Sequence, residues 1–262
     1  MPIRLGAVTY LNARPLVYGL AAHAGRFSIR FDIPSRCSAL LHAGSIDVGL
    51  VPSIEYLRGA DYQIVPDVAV ASDGAVASVA LFTARPVSSI RTIAADTSSR
   101  TSVALLRVLC ARHFHIEPEL QPMAPDAPAM LDRCDAALLI GDAALFLDHA
   151  ALGVEKIDFG EAWRALTGLP FVYAFWAGRP GALGAADVAL LREVKAAGAS
   201  HPDAVAREYF GADTASVAEG ARYLRENVRF DLGEAERQGL LRFYAYAAEL
   251  GLVPGGAALR FY

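Results

Sequence analysis

Five hydroxyls crowd into the seven-residue segment DTSSRTS: Thr97, Ser98, Ser99, Thr101 and Ser102. The apolar run VALLRVL follows at once and reads as a helix. One side-chain oxygen is enough to cap a helix, so most of this cluster is surplus to capping. A helix start also offers unpaired N–H groups and about half a positive charge. Hydroxyls gathered there suit a small anion. The competing reading, one cap among solvated neighbours, stays open on these residues alone. Arg100 either adds positive charge to such a site or lies in solvent.

Other polar residues stand in comparable places, just after strand-like runs. Asn12 and Arg14 lie in TYLNARP, Ser53 in VPS and Asp142 in IGDAAL. Ser78 follows the turn signal Asp73-Gly74 and opens a further apolar run. Asn12 reads equally as a ligand contact or a turn residue, and Arg14 as a ligand contact or a solvent-facing charge. Ser53 and Asp142 read first as helix caps. Ser78 faces either a cleft or the core. The six histidines form no H-E-x-x-H pattern, and no G-x-S-x-G elbow, P-loop or dinucleotide fingerprint is present. No pair of carboxylates marks an acid–base couple. We therefore expect no metal and no cofactor.

These positions make sense together only if the elements before them are parallel strands, because open parallel sheets bind ligands at their strand carboxyl ends. IRLGAVTY, FSIRFDI and DVGLVPS read as strands. Pro15 is expected to open a helix running to about Ala24, Ser35 to cap a second, and Ser53 to begin a short third. The pattern then restarts. Ile3-Arg4 is echoed by Ile90-Arg91 and Asp47 by Asp135, at offsets of 87 and 88. Two pairs at nearly one offset predict two similar α/β lobes. SVALFTARP and GLPFVYAFWAGRP read as crossover strands, near Leu81 to Ala84 and Val172 to Ala177. From about Ala185 the chain has helical periodicity and is expected to return over the first lobe. The first lobe would then comprise residues 1–85 and 178–262, and the second 86–177.

Bulk properties narrow the function. The 262 residues carry a formal charge of −4, against non-specific nucleic-acid binding. Hydrophobic residues make up 54%, yet no apolar run reaches the ~18 residues of a membrane helix. Cys37, Cys110 and Cys134 form no C-x-x-C, and MPIRLGAVTY has no basic-then-apolar leader. These features lead us to expect a cytoplasmic protein with no nucleic-acid or membrane partner. They leave the oligomeric state unassigned. On residue types alone it is a two-lobed binder of a small anion, with an enzymatic role left open.

TYLNARPL, DVGLVPSIEYL, SDG with Ser78, DTSSRTS, LIGDAAL and TGLPFVYAFWA, in this order and spacing, resemble the chorismate dehydratase family of the futalosine route to menaquinone. The likeness runs from about Val8 to Ala177, and Ala75 departs from it where the family usually has Pro. It implies a type II periplasmic-binding-protein fold, and conversion of chorismate to 3-[(1-carboxyvinyl)oxy]benzoate and water without a cofactor. It also implies that Asn12 and Ser78 are the active-site polar residues. The DTSSRTS loop, through Thr97, Ser98, Thr101 and Ser102, becomes a carboxylate cradle, with Arg14, Ser53 and Asp142 near the substrate. Three alternatives share the fold: a small-carboxylate or solute receptor, the effector module of a transcription regulator, and the sister enzyme that makes dihydroxynaphthoate. The first would carry an export leader, the second a helix-turn-helix segment, and the third a histidine in a strand-end motif.

Overall fold

A computed structural model describes every residue except Ala60. The chain runs β1 (Ile3–Val8), β2 (Phe27–Asp32), α1 (Pro34–His42), β3 (Val48–Pro52) and β4 (Gln63–Ser72). It continues through β5 (Val79–Thr83), β6 (Thr92–Asp96), α2 (Arg100–Leu109), β7 (Glu119–Met123), α3 (Ala127–Arg133) and β8 (Ala136–Ile140). Then come α4 (Asp142–Leu145), β9 (Glu155–Asp158), α5 (Phe159–Thr167), β10 (Phe171–Gly178) and four tail helices. The tail helices are α6 (Ala185–Ser200), α7 (Pro202–Phe210), α8 (Thr214–Glu226) and α9 (Glu234–Glu249).

Two five-stranded sheets share one design, in the orders β2-β1-β3-β10-β4 and β7-β6-β8-β5-β9. In each, four strands share a direction and the fourth in order, β10 or β5, runs against them. The sequence echo is structural. Leu5 pairs with Val48 in the first sheet and Ile93 with Ala136 in the second, equivalent positions 88 residues apart. Asp47 takes the Arg4 N–H at 2.8 Å, and Asp135 takes the Arg91 N–H at 2.8 Å. Each carboxylate thus ties down the start of β1 or β6, the second strand of its sheet, by accepting a backbone N–H there.

The crossings differ from the sequence expectation. β5 belongs to the second sheet and β10 to the first. The chain therefore changes sheet in the short segments before them, 73–78 and 168–170, and the boundaries at 85/86 and 177/178 sit a strand too late. An all-apolar strand shows that it is buried but not in which sheet.

Local structure differs at two points. No α-helix runs from Pro15 to Ala24; two 3₁₀ segments, Leu11–Val17 and Leu20–His23, replace it. Pro15 lies inside the first and supplies no N–H, and Gly19 between them adopts φ +75°. At α1, Pro34 fills the first turn and Ile33 precedes it without a side-chain cap, so Ser35 caps nothing.

The tail does more than cover one lobe. α6 and α7 pack on the Leu11–Val17 segment, whereas α9 lies against both β10 and α2 of the second lobe. Trp163 of α5, Phe171 of β10 and Phe243 of α9 stack edge to face, with Trp163–Phe171 centroids 5.2 Å apart and Phe171–Phe243 4.9 Å. This aromatic contact joins both lobes and the tail beside the 168–170 passage.

Candidate functional site

The strand-end loops of the two lobes meet face to face. The Tyr10 hydroxyl donates to Ser98 Oγ at 3.1 Å, the Leu11 N–H to Asp142 Oδ1 at 3.2 Å and the Ile54 N–H to Thr101 Oγ1 at 3.1 Å. The Ser35 N–H reaches the Ser98 carbonyl at 3.1 Å. Between these contacts lies a cavity of about 50 Å³. Its polar lining is Tyr10, Asn12, Ser99, Ser102 and Tyr173; Val8, Leu50, Val70, Val79, Ile140 and Pro34 are among its apolar walls. No Asp, Glu, His, Lys or Arg is among the lining residues. Gly141, at φ +61°, closes one side, and a Cβ there would sit 2.9 Å from the Tyr10 ring. Burial pushes the Tyr10 and Tyr173 hydroxyls up in pKa, so both are neutral donors at ordinary pH.

The hydroxyl cluster divides its duties. Ser99 is the cap of α2: its Oγ accepts the Ser102 N–H at 3.2 Å and donates to Ser102 Oγ at 3.0 Å. Ser102 lines the cavity with a proton uncommitted to these bonds. Ser98 and Thr101 hold the lobes together through Tyr10 and Ile54. Ser53 Oγ donates to the Val172 carbonyl at 2.8 Å and so serves the structure of the first lobe. Thr97 is exposed. A single cradle of Thr97, Ser98, Thr101 and Ser102 is not formed, because successive residues at a helix start point in directions about 100° apart.

Arg14 and Arg100 both turn away from the cavity. Arg14 lies between the Phe31 ring (4.6 Å) and the Tyr209 ring (4.9 Å) and donates to the Thr9 carbonyl. It borders a separate surface pocket with Tyr18, Phe31 and Tyr209. Arg100 pairs at 2.7 Å with Glu55, a carboxylate 1% exposed that also binds Arg58 at 2.8 Å. This ion pair is a further link between the lobes.

Three aspartates near the cleft differ in engagement. Asp142 accepts from the Leu11 N–H and from the Tyr209 hydroxyl, so both oxygens are occupied. Burial raises its pKa, and the Tyr209 and Leu11 bonds pull it back down. Asp73 is paired with Arg164 at the surface. Asp96 is buried, accepts the Ser98 N–H at 2.8 Å and has its pKa raised by burial.

Asn12 stands on the cavity wall, and Ser78 just behind it. Ser78 is 1% exposed, its carbonyl accepts the Gly141 N–H at 2.8 Å, and its Oγ accepts the Tyr223 hydroxyl at 2.7 Å. The turn before it is held from outside. Asp158 accepts the Val76 N–H at 3.0 Å and the Ala77 N–H at 2.7 Å, besides capping α5 through Gly160 and Glu161. Lys156 donates to the Ala77 carbonyl at 2.6 Å. Ala77 is thereby kept at φ +62°, a left-handed conformation costing roughly 1–2 kcal/mol in a non-glycine residue. Sequence reasoning missed this clamp and the tyrosines. Tyr10 and Tyr173 lie in motifs already singled out, whereas Tyr209 and Tyr223 lie in the tail, which the sequence marks only by helical periodicity. Among the described residues, no group of three or more His, Cys, Asp or Glu could hold a metal, and no helix is long and apolar enough to cross a membrane.

The family model described as menaquinone biosynthesis matches residues 3–249. The chain belongs to that menaquinone-biosynthesis family. It is 32% identical to the chorismate dehydratase of Thermus thermophilus, over 96% of each protein. The fold is that of periplasmic binding proteins. A protein of Archaeoglobus fulgidus superposes with a TM-score of 0.75 at 19% identity, covering 96% of this chain and 98% of that one. The aliphatic sulphonate binding protein SsuA of Escherichia coli gives 0.66 at 18% identity, covering 100% and 96%. The alkanesulfonate-binding SsuA of Xanthomonas axonopodis, bound to MOPS, gives 0.70 at 18%, covering 97% and 94%. Family membership sets this chain among biosynthetic proteins built on the two-lobed frame of solute receptors.

Proposed function

We propose that the protein is a chorismate dehydratase, a hydro-lyase that converts chorismate to 3-[(1-carboxyvinyl)oxy]benzoate and water, and that it works in the cytoplasm. The observation that carries this reading is an interlobe cavity lined by Asn12, Ser99, Ser102 and two tyrosines, in a chain of the menaquinone-biosynthesis family. Chorismate is a dianion. The start of α2, with Ser99 and Ser102, offers one carboxylate hydrogen-bond donors and a positive helix end. Charge-assisted bonds contribute roughly 1.5–3 kcal/mol each, so three or four suffice for micromolar binding before ordering costs.

The lining favours chemistry in which the substrate supplies its own base. In chorismate the C3 proton and the C4 hydroxyl share one ring face. The enolpyruvyl carboxylate can fold over C3 and take that proton while the C4–O bond breaks. The departing oxygen then receives the proton, water leaves and the ring becomes aromatic. A well-oriented intramolecular group has a very large effective molarity. The protein's part is to fix the reactive conformer and to donate hydrogen bonds, which neutral Asn12, Tyr10, Ser78 and Ser102 can do. Asn12 orients the carboxylate or the C4 hydroxyl. Asp142 acts as a tether between lobes, since both its oxygens are taken.

The cavity is about 50 Å³, a third of the roughly 150 Å³ that admits benzene in an engineered protein. Chorismate entry therefore requires the lobes to part, breaking Tyr10–Ser98, Leu11–Asp142 and Glu55–Arg100. The test is incubation with chorismate and mass analysis of products. Loss of one water with appearance of the benzoate supports the reading; binding without turnover identifies a carboxylate receptor instead. Asp142→Asn and Asp96→Asn are expected to keep kcat within about tenfold, and a loss beyond ~10⁴-fold at either, with binding intact, means a protein base.

A further inference from the structure

We propose that Tyr223, on tail helix α8, is a positioning residue that fixes the direction of the Ser78 hydroxyl proton, so that Ser78 serves as a hydrogen-bond donor to the substrate. The inference rests on the dehydratase reading above and adds a residue outside both lobe repeats. Three observations carry it. Tyr223 and Ser78 are 3% and 1% exposed, and their hydroxyls lie 2.7 Å apart with Tyr223 donating. No other hydrogen bond of Ser78 Oγ is formed among the described residues, so its own proton has no protein acceptor. The side chain of Asn12, on the cavity wall, lies beside the Tyr223 hydroxyl and lowers its pKa against the effect of burial.

These contacts order a chain of donors. The phenol proton of Tyr223 points at Ser78 Oγ. Ser78 Oγ, already accepting, turns its proton outward. On this proposal the outward direction is the cavity, whose wall includes the neighbouring Val79 and Gly141, the residue that donates its N–H to the Ser78 carbonyl. A donor there suits an oxygen gaining negative charge as its bond to carbon breaks. Burial drives the Tyr223 pKa upward, so the phenol keeps its proton and the order of the chain does not invert at ordinary pH. The Asp158–Lys156 clamp on Val76 and Ala77 holds Ser78 in register with a tyrosine that arrives from another element.

The experiment is a double-mutant cycle on chorismate turnover with Y223F, S78A and Y223F/S78A. Y56F is the control, a buried tyrosine whose hydroxyl bonds the Ala258 carbonyl and the Arg260 N–H far from the cavity. Y223F is expected to lower kcat about tenfold or more with little change in KM. Its Tm should fall no further than that of Y56F, which keeps its activity. In the S78A background, Y223F should cost less than about twofold more, because its effect passes through Ser78. Unchanged kcat in Y223F, losses that multiply across the cycle, or a kcat loss matched by a larger fall in Tm than in Y56F would each overturn the inference. A wild-type protein without turnover overturns the dehydratase reading and this one with it; an active wild type with an active Y223F overturns this one alone.

Discussion

The first lobe's strand-end loop and its counterpart in the second start from the same frame and end differently. Both follow the second strand of a sheet with the same order, β1 or β6, and both of these strands are anchored by an aspartate at equivalent positions. After β1 the chain makes a 3₁₀ segment containing Pro15 and presents Asn12 to the cavity. After β6 it makes a capped α-helix and presents Ser99 and Ser102. The hydroxyl-rich loop spends most of its side chains on its own cap and on the other lobe, while the hydroxyl-poor loop keeps the Asn12 amide at the cavity. Abundance of polar groups in a sequence therefore locates a site without ranking its members. The ranking comes from what each group is already bound to.

The comparison can be broken most directly at Asn12. Asn12→Ala is expected to lower kcat about 10²–10³-fold, the usual loss for one transition-state donor, with Tm nearly unchanged; a loss confined to KM would make Asn12 a binding residue only. Asp158→Ala should cost about 3 kcal/mol of stability in a denaturation series and reduce activity as well. It leaves N–H groups of both the Ala77 turn and α5 without their acceptor. The second loop should separate into parts. Ser102→Ala is expected to weaken chorismate binding by about 1.5–3 kcal/mol at constant Tm, measured by calorimetry. Ser99→Ala removes the cap and about 1 kcal/mol of stability, and the exposed Thr97→Ala changes either quantity by no more than about 0.5 kcal/mol.

The smallest effect tests the shared frame. Asp47 is held below the ordinary carboxyl pKa of 3.8 chiefly by its Arg4 hydrogen bonds, and Asp135 chiefly by the Arg91 N–H. A carboxyl that titrates lower folded than unfolded contributes stability above its unfolded pKa and loses it as pH falls through the folded value. Asp47→Asn and Asp135→Asn should thus each cost about 1 kcal/mol or less at pH 7, and the difference from wild type should vanish in strong acid. A penalty for only one of them would show that the two lobes are not anchored alike.

By itself the sequence determined the two-lobed α/β plan, through apolar runs, strand-end polar motifs and aspartates repeated at a fixed offset. These signals are local or periodic, and each survives without knowledge of what packs on it. Family-like motifs also singled out Asn12 and the α2 start, both of which line the interlobe cavity. The tertiary structure alone decided which hydroxyls face the cavity, that Arg14 and Arg100 point elsewhere, and that β5 and β10 belong to opposite sheets. It also decided that Tyr209 and Tyr223 arrive from the tail. A tyrosine on the apolar face of a helix looks the same in sequence whether its hydroxyl meets a backbone carbonyl or the hydroxyl of a serine in another lobe. Only the packing of α7 against the Leu11–Val17 segment, of α8 against α7, and the held Val76–Ser78 turn set that partner.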